Sequence, residues 1–94
     1  MYRVTIICEG LPLSVGEEAA RDIAGEFAEH RQWHSSVTCE WRNARLVFRA
    51  DNDFDDTGEA TLDEFGDCIV AYIADPGDYR IRLESVSKLA NEHA

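Results

Sequence analysis

No lysine or arginine occurs between Asp51 and Tyr79. That window holds ten carboxylates (Asp51, Asp53, Asp55, Asp56, Glu59, Asp63, Glu64, Asp67, Asp75 and Asp78), leaving nine acids against nine bases elsewhere. The net charge of −10 therefore sits in one segment. Such a surface repels nucleic-acid phosphates and anionic membranes and attracts basic partners or cations.

Other absences narrow the field. No apolar run approaches the roughly 18 residues that span a bilayer. Met1-Tyr2-Arg3 leads straight into strand-like sequence rather than a signal peptide, so a cytoplasmic protein is expected. Cys8, Cys39 and Cys68 are odd in number and form no Cys-x-x-Cys, which argues against a disulfide framework and a zinc ribbon and for packed, reduced thiols. There is no glycine-rich phosphate loop, nucleophile elbow or His-Glu-x-x-His run. Cys8 at a strand end is the lone nucleophile candidate, and its parity with Val4 and Ile6 points it inward. The expectation is a non-enzymatic protein without a resident cofactor.

What is present describes one globular domain. The 45% hydrophobic content offsets the charge that would otherwise favour disorder. Tyr2 to Cys8 alternates as a strand. Ser14-Val15-Gly16-Glu17 has capping-box spacing and predicts a helix from Val15 to about Gln32, with Ala20, Ile23, Ala24 and Phe27 on its apolar stripe. Trp33 projects onto the polar side, so either that helix ends before it or an indole is exposed. Ser35 to Trp41 and Arg45 to Ala50 alternate around Asn43-Ala44 and predict a hairpin. Thr61-Leu62-Asp63-Glu64 repeats the capping-box spacing and opens a second helix with Leu62, Phe65, Ile69, Tyr72 and Ile73 as its stripe. Asp75-Pro76-Gly77 ends that helix. Tyr79 to Val86 is the last strand, giving a domain over residues 1–88 and a polar tail over residues 89–94.

The order β-α-β-β-α-β folds most economically as a ferredoxin-like α+β sandwich, a four-stranded antiparallel sheet with two helices on one face. The expected strand order is four, one, three, two. Its open face would carry Arg3, Arg45, Arg49, Arg80 and Arg82. They are either solvated partners of Glu40 and Glu84 or a site for an anion or RNA, although the stacking aromatics of RNA-binding sheets are missing.

Three binding expectations follow. The main one is a protein-binding module whose acidic pole (Asp51, Asp53, Asp55, Asp56, Glu59, Asp63 and Asp67), with Trp33 as a hot spot if exposed, occupies a basic site on a partner that otherwise holds nucleic acid. In charge and size it is similar to inhibitors of the anti-restriction and anti-CRISPR type. The second is calcium: Asp53 to Glu64 resembles an EF-hand loop, with Asp53, Asp55, Thr57, the Glu59 carbonyl and Glu64 as ligands and Gly58 at the sixth position. Against it stand a preceding strand, Ala60 at the eighth position and no second loop. The third is zinc on His30 and His34, four residues apart with Glu26 one turn earlier. Head-to-tail or face-to-face self-association between the acidic and arginine-rich poles is a further expectation.

Overall fold

The computed structural model describes residues 1–89. The predicted tail over residues 89–94 lies outside the described residues except for Leu89, whose amide donates to the Met1 carbonyl at 2.9 Å. Strand β1 (Tyr2–Glu9), helix α1 (Gly16–His30), strands β2 (Ser35–Arg42) and β3 (Arg45–Asn52), helix α2 (Glu59–Tyr72) and strand β4 (Arg80–Lys88) follow in order. The sheet is antiparallel with order β2-β3-β1-β4, the ferredoxin-like arrangement expected from the alternation. No helix among the described residues is long and apolar enough to cross a membrane.

The core forms where the even-numbered residues of β1 and β3 meet the helices. Val4, Ile6, Cys8, Leu46, Phe48 and Ala50 pack with Ile23 and Phe27 of α1 and Phe65 and Ile69 of α2. Phe48 lies at the centre, its ring 4.7 Å from that of Phe27 and 5.0 Å from that of Phe65. Tilted pairs at these separations add to the burial energy of the rings.

Several boundaries differ from the sequence reading, each for a local reason. A 3₁₀ turn over Leu13–Val15 precedes α1, closed by Val15 N to Pro12 O at 3.2 Å, and Ser14 makes no cap bond. The Ser14–Glu17 capping box therefore does not form. Helix α1 ends at His30, which leaves Trp33 outside it and 53% exposed. Strand β3 runs two residues further than expected, because Asn52 pairs with Tyr2 and Asp51 with Arg3 across the sheet. Strand β4 runs to Lys88 and carries a bulge: Thr5 pairs with Ser85 but Ile6 with Leu83, so Glu84 is the extra residue. That shift lets Leu83 and Val86 both face the core. Edge strand β2 is irregular between Ser35 and Thr38, around Ser36 at φ +50°. Both edges are thus broken in the manner that discourages strand addition.

Two contacts fix the helices on the sheet. At Gly16 a Cβ would lie 2.1 Å from Cδ2 of Trp41, so the indole of β2 rests directly on the first turn of α1. Gly58, at φ +81°, brings the start of α2 onto β4, where a Cβ would meet Leu83 and Val86 at 2.8 Å.

The hairpin turn places both Asn43 and Ala44 in the left-handed region, at φ 54° and 61°. The two-residue turn matches the twist of its strands, but alanine is strained there by about 1 kcal/mol. Ala44→Gly should therefore raise stability by about 0.5 kcal/mol in chemical denaturation, once the greater freedom of an unfolded glycine is subtracted. Equal or lower stability would show that the turn is not strained.

Candidate functional site

A chain of buried polar groups sets the surface at the junction of the helices with β3. Asn52, 1% exposed at the end of β3, accepts on Oδ1 from the amides of Phe54 (3.2 Å) and Asp55 (2.8 Å). Its Nδ2 lies 3.2 Å from His34 Nδ1 and donates to Thr61 Oγ1 at 3.3 Å. Because His34 Nδ1 faces an amide donor, its proton is assigned to Nε2, which donates to Glu64 Oε1 at 3.0 Å. Glu64 also accepts from Trp33 Nε1 (3.3 Å) and Arg31 Nη1 (3.5 Å). Arg31 lies over the Phe27 ring, 5.6 Å from its centroid, and its buried Nε, 3.5 Å from Glu26 Oε2, makes no hydrogen bond among the described residues.

Asp55 completes the chain from below α2. Its Oδ1 accepts from the amides of Gly58 (3.0 Å) and Ala60 (3.4 Å), and its Oδ2 from the amide and hydroxyl of Thr61 (2.8 and 2.6 Å). Burial alone would raise the pKa of this carboxyl. The bonds from Thr61, Ala60 and Gly58 together outweigh it and hold the value below the ordinary range. Asp55 therefore caps α2 from three residues before its N-cap position, Gly58. The Thr61–Glu64 capping box does not form, since Thr61 lies within the helix and Glu64 faces the α1–β2 connection.

This framework holds two aromatic rings at the surface. Trp33 and Phe54 flank His34, with centroids 6.1 and 5.9 Å from the imidazole, and are 53% and 48% exposed. Asp53 and Asp56 are exposed in the same loop, and Glu59, Asp63 and Asp67 continue along the outer side of α2. Those three carboxylates are spaced by four residues, about 6 Å per step along the axis. Helix dipole complementarity explains Glu59 in the first turn, but not Asp63 or Asp67. Like charges at this spacing cost a helix about 0.2–0.5 kcal/mol per pair, and no base on α2 offsets them. Folding does not require this row.

Two of the expected contact residues are not on that surface. Asp51 is 4% exposed and bound by Arg3 through Nε (2.8 Å) and Nη2 (2.9 Å) on the sheet face. Asp55 is 4% exposed under α2. Their carboxylates serve the fold, and the exposed set is Asp53, Asp56, Glu59, Asp63 and Asp67, with Trp33.

The residues of the calcium expectation are not brought together. Asp55 turns inward to the helix amides, Thr57 Oγ1 accepts from the Glu59 amide at 3.3 Å, and Glu64 is drawn to His34, Trp33 and Arg31, so the exposed Asp53 carboxylate is joined by neither Asp55 nor Glu64. His30 and His34 likewise do not share a helical face, because α1 ends at His30. His30 bonds to Glu26, 3.1 Å away, and His34 is buried. Among the described residues no group of three His, Cys, Asp or Glu side chains is placed to hold a metal.

The thiols lie in the core layer. Burial raises Cys8 and Cys68 to about 11 and Cys39 to about 12. At neutral pH the thiolate fraction is then at least about a hundredfold below that of a free cysteine. Labelling with a maleimide should be slower by that factor until the protein is unfolded; fast labelling of one thiol in the folded protein would contradict its packing.

On the open sheet face the arginines are interleaved with acids. Arg3 is held by Asp51, Arg42 pairs with Glu40, and Arg82 lies 2.6 Å from Glu84 and 3.6 Å from Glu9. Glu9 is also the cross-strand neighbour of both Arg45 and Arg80. Arg49 lies between Thr5 and Thr38. Ile7, at the middle of this face, is only 2% exposed, with Val47 and Arg82 as its cross-strand neighbours.

Phe54 and Asn52 were not expected at the site, and His34 was expected only as a zinc ligand. The only local signal for Phe54 is an apolar residue inside an acidic run, and Asn52 reads as a turn residue until its strand partner is known. Comparison with protein-family models, with curated proteins and with solved structures found no match.

Proposed function

We propose that this protein binds a basic partner protein through the face of Trp33, Phe54, Asp53, Asp56, Glu59, Asp63 and Asp67, occupying a site that otherwise holds nucleic-acid phosphates. The observation that carries the reading is the row Glu59, Asp63 and Asp67 on a helix without a base, beside two exposed aromatic rings. The row weakens the helix that bears it, so a gain outside the fold accounts for it. Fixed carboxylates on a rigid helix present regularly spaced negative charge, as a phosphate backbone does, and draw a basic surface by long-range attraction. The rings supply what charge lacks, a flat apolar contact for an arginine or lysine stem and a cation–π surface. Binding rather than catalysis is the proposed activity. The sheet-face arginines carry less weight as an anion or RNA site, because most of them stand beside a carboxylate.

The test compares two variants of equal charge with an arginine-serine repeat peptide as the probe. Neutralising Asp53, Asp63 and Asp67 to Asn should weaken binding about tenfold or more at near-physiological salt. Neutralising Glu9, Glu40 and Glu84 to Gln, on the sheet and away from the face, should leave most of it. Equal losses would reduce the attraction to net charge and remove the face.

A further inference from the structure

At the other end of α2 a groove of about 450 Å³ opens against the start of α1, within the roughly 300–1,000 Å³ typical of ligand sites. Val15, Ala19 and Ile73 give it apolar walls, Tyr72 stands at its side, and Glu18 and Asp75 supply its charge. The Tyr72 hydroxyl donates to Glu26 Oε1 at 2.7 Å, which holds the ring in place.

The electrostatics of this groove are one-sided. The last helical bond of α2 runs from Ile73 N to Ile69 O, so the carbonyls of Val70, Ala71 and Tyr72 follow it without helical partners. That end carries partial negative charge, which proteins normally answer with a base. Here no base stands in the last turn, and Asp75 adds another negative group just beyond it. The positive end of α1 does not compensate, because Glu17 and Glu18 already occupy its first turn. Among the described residues no arginine, lysine or histidine pairs with Glu18 or Asp75.

We infer that this groove is a socket for an arginine side chain of the basic partner, an inference that rests on the binding reading above for its occupant. The chemistry is complementary at each point. The three-carbon stem lies along Val15, Ala19 and Ile73, as long cationic side chains cover apolar surface. The guanidinium stacks on Tyr72 and directs its planar donors to Asp75, Glu18 and the free carbonyls of α2. Arginine fits better than lysine, whose compact ammonium keeps its water and has no plane to stack.

N-acetyl-arginine methylamide, added to the ¹⁵N-labelled protein and followed by amide shifts, tests the socket without the partner. Binding on the order of millimolar is expected, with shifts concentrated at Val15, Ala19, Ile73 and Ala74. Asp75→Asn should weaken it about tenfold, and Glu18→Gln should weaken it in the same direction. Asp75 is exposed, so its loss does not disturb the core. The citrulline analogue, isosteric and uncharged, should give no saturable shifts. Equal shifts with citrulline, or shifts spread over the acidic surface, would overturn the socket and leave the peptide result at Asp53, Asp63 and Asp67 standing. Groove binding that persists in the Asp53/Asp63/Asp67 variant would support the socket and assign any loss of peptide binding to the face.

Discussion

Asp55→Ala should cost about 3 kcal/mol of folding stability, the largest effect expected of any single loop substitution in this chain. The variant removes four acceptor contacts at once, from the Gly58, Ala60 and Thr61 amides and the Thr61 hydroxyl. Loss of a helix cap alone costs about 1 kcal/mol, and hydrogen bonds to a charged acceptor add about 1.5–3. The Thr61 hydroxyl, fully buried, would be left donating to nothing. For a domain of this size the loss corresponds to a Tm drop of roughly 15 °C. Asp55→Asn should fall between the two, since it keeps one acceptor but turns an amino group toward backbone N–H groups.

The same residue gives a pH signature with a fixed sign. Its folded pKa is lowered, so its contribution is present above the ordinary aspartate value of about 3.8 and is lost as pH falls through the lower folded value. The stability gap between the parent protein and Asp55→Ala should therefore be widest at neutral pH and narrow below about pH 4. A gap that stayed constant down to about pH 2, well below the ordinary aspartate range, would mean that the carboxylate is not the capping species.

The second large effect is on binding rather than folding. Trp33→Ala and Phe54→Ala should each weaken affinity for a basic partner by about 2 kcal/mol, roughly thirtyfold, while changing Tm little. Both rings are about half exposed, so the fold gains little from them. Trp33 has one structural bond, Nε1 to Glu64, and Glu64 keeps His34 and Arg31 when it is removed. Neutralising Asp53, Asp63 and Asp67 should act differently. It should slow association and flatten the salt dependence, because those charges act over the screening length of about 8 Å, whereas loss of a ring should speed dissociation. The α2 helix itself should gain slightly from the neutralisation, as two like-charge pairs are removed.

The contrast between Asp55 and Asp53 shows how far the sequence could be read. The alternation of Tyr2 to Cys8, the hairpin around Asn43-Ala44 and the stripe Phe65-Ile69 define the ferredoxin-like sandwich, because burial periodicity is a local property of the chain. The roles of the acids are not local. Asp51 and Asp55 look like Asp53 and Asp56 in a run of carboxylates, and only Arg3, 48 positions away, and the amides of α2 separate the buried pair from the exposed one. Glu64 shows the same limit. Its spacing from Thr61 matches a capping box, yet the His34 imidazole and the Trp33 indole from the α1–β2 connection claim its oxygens. The bulge at Glu84 is hinted at by Leu83 and Val86, three apart where strict alternation would put them on opposite faces. What the sequence does show without the structure is the missing base between Asp51 and Tyr79, and the exposed row on α2 is its consequence.

The most direct test is an NMR titration of the ¹⁵N-labelled protein with the arginine-serine repeat peptide at near-physiological salt. The account predicts saturable shifts centred on Asp53, Phe54, Asp56, Glu59, Asp63 and Asp67 and on the Trp33 indole N–H, with the β2 and β4 amides unmoved. Shifts spread evenly over every exposed carboxylate, or confined to the sheet, would contradict it.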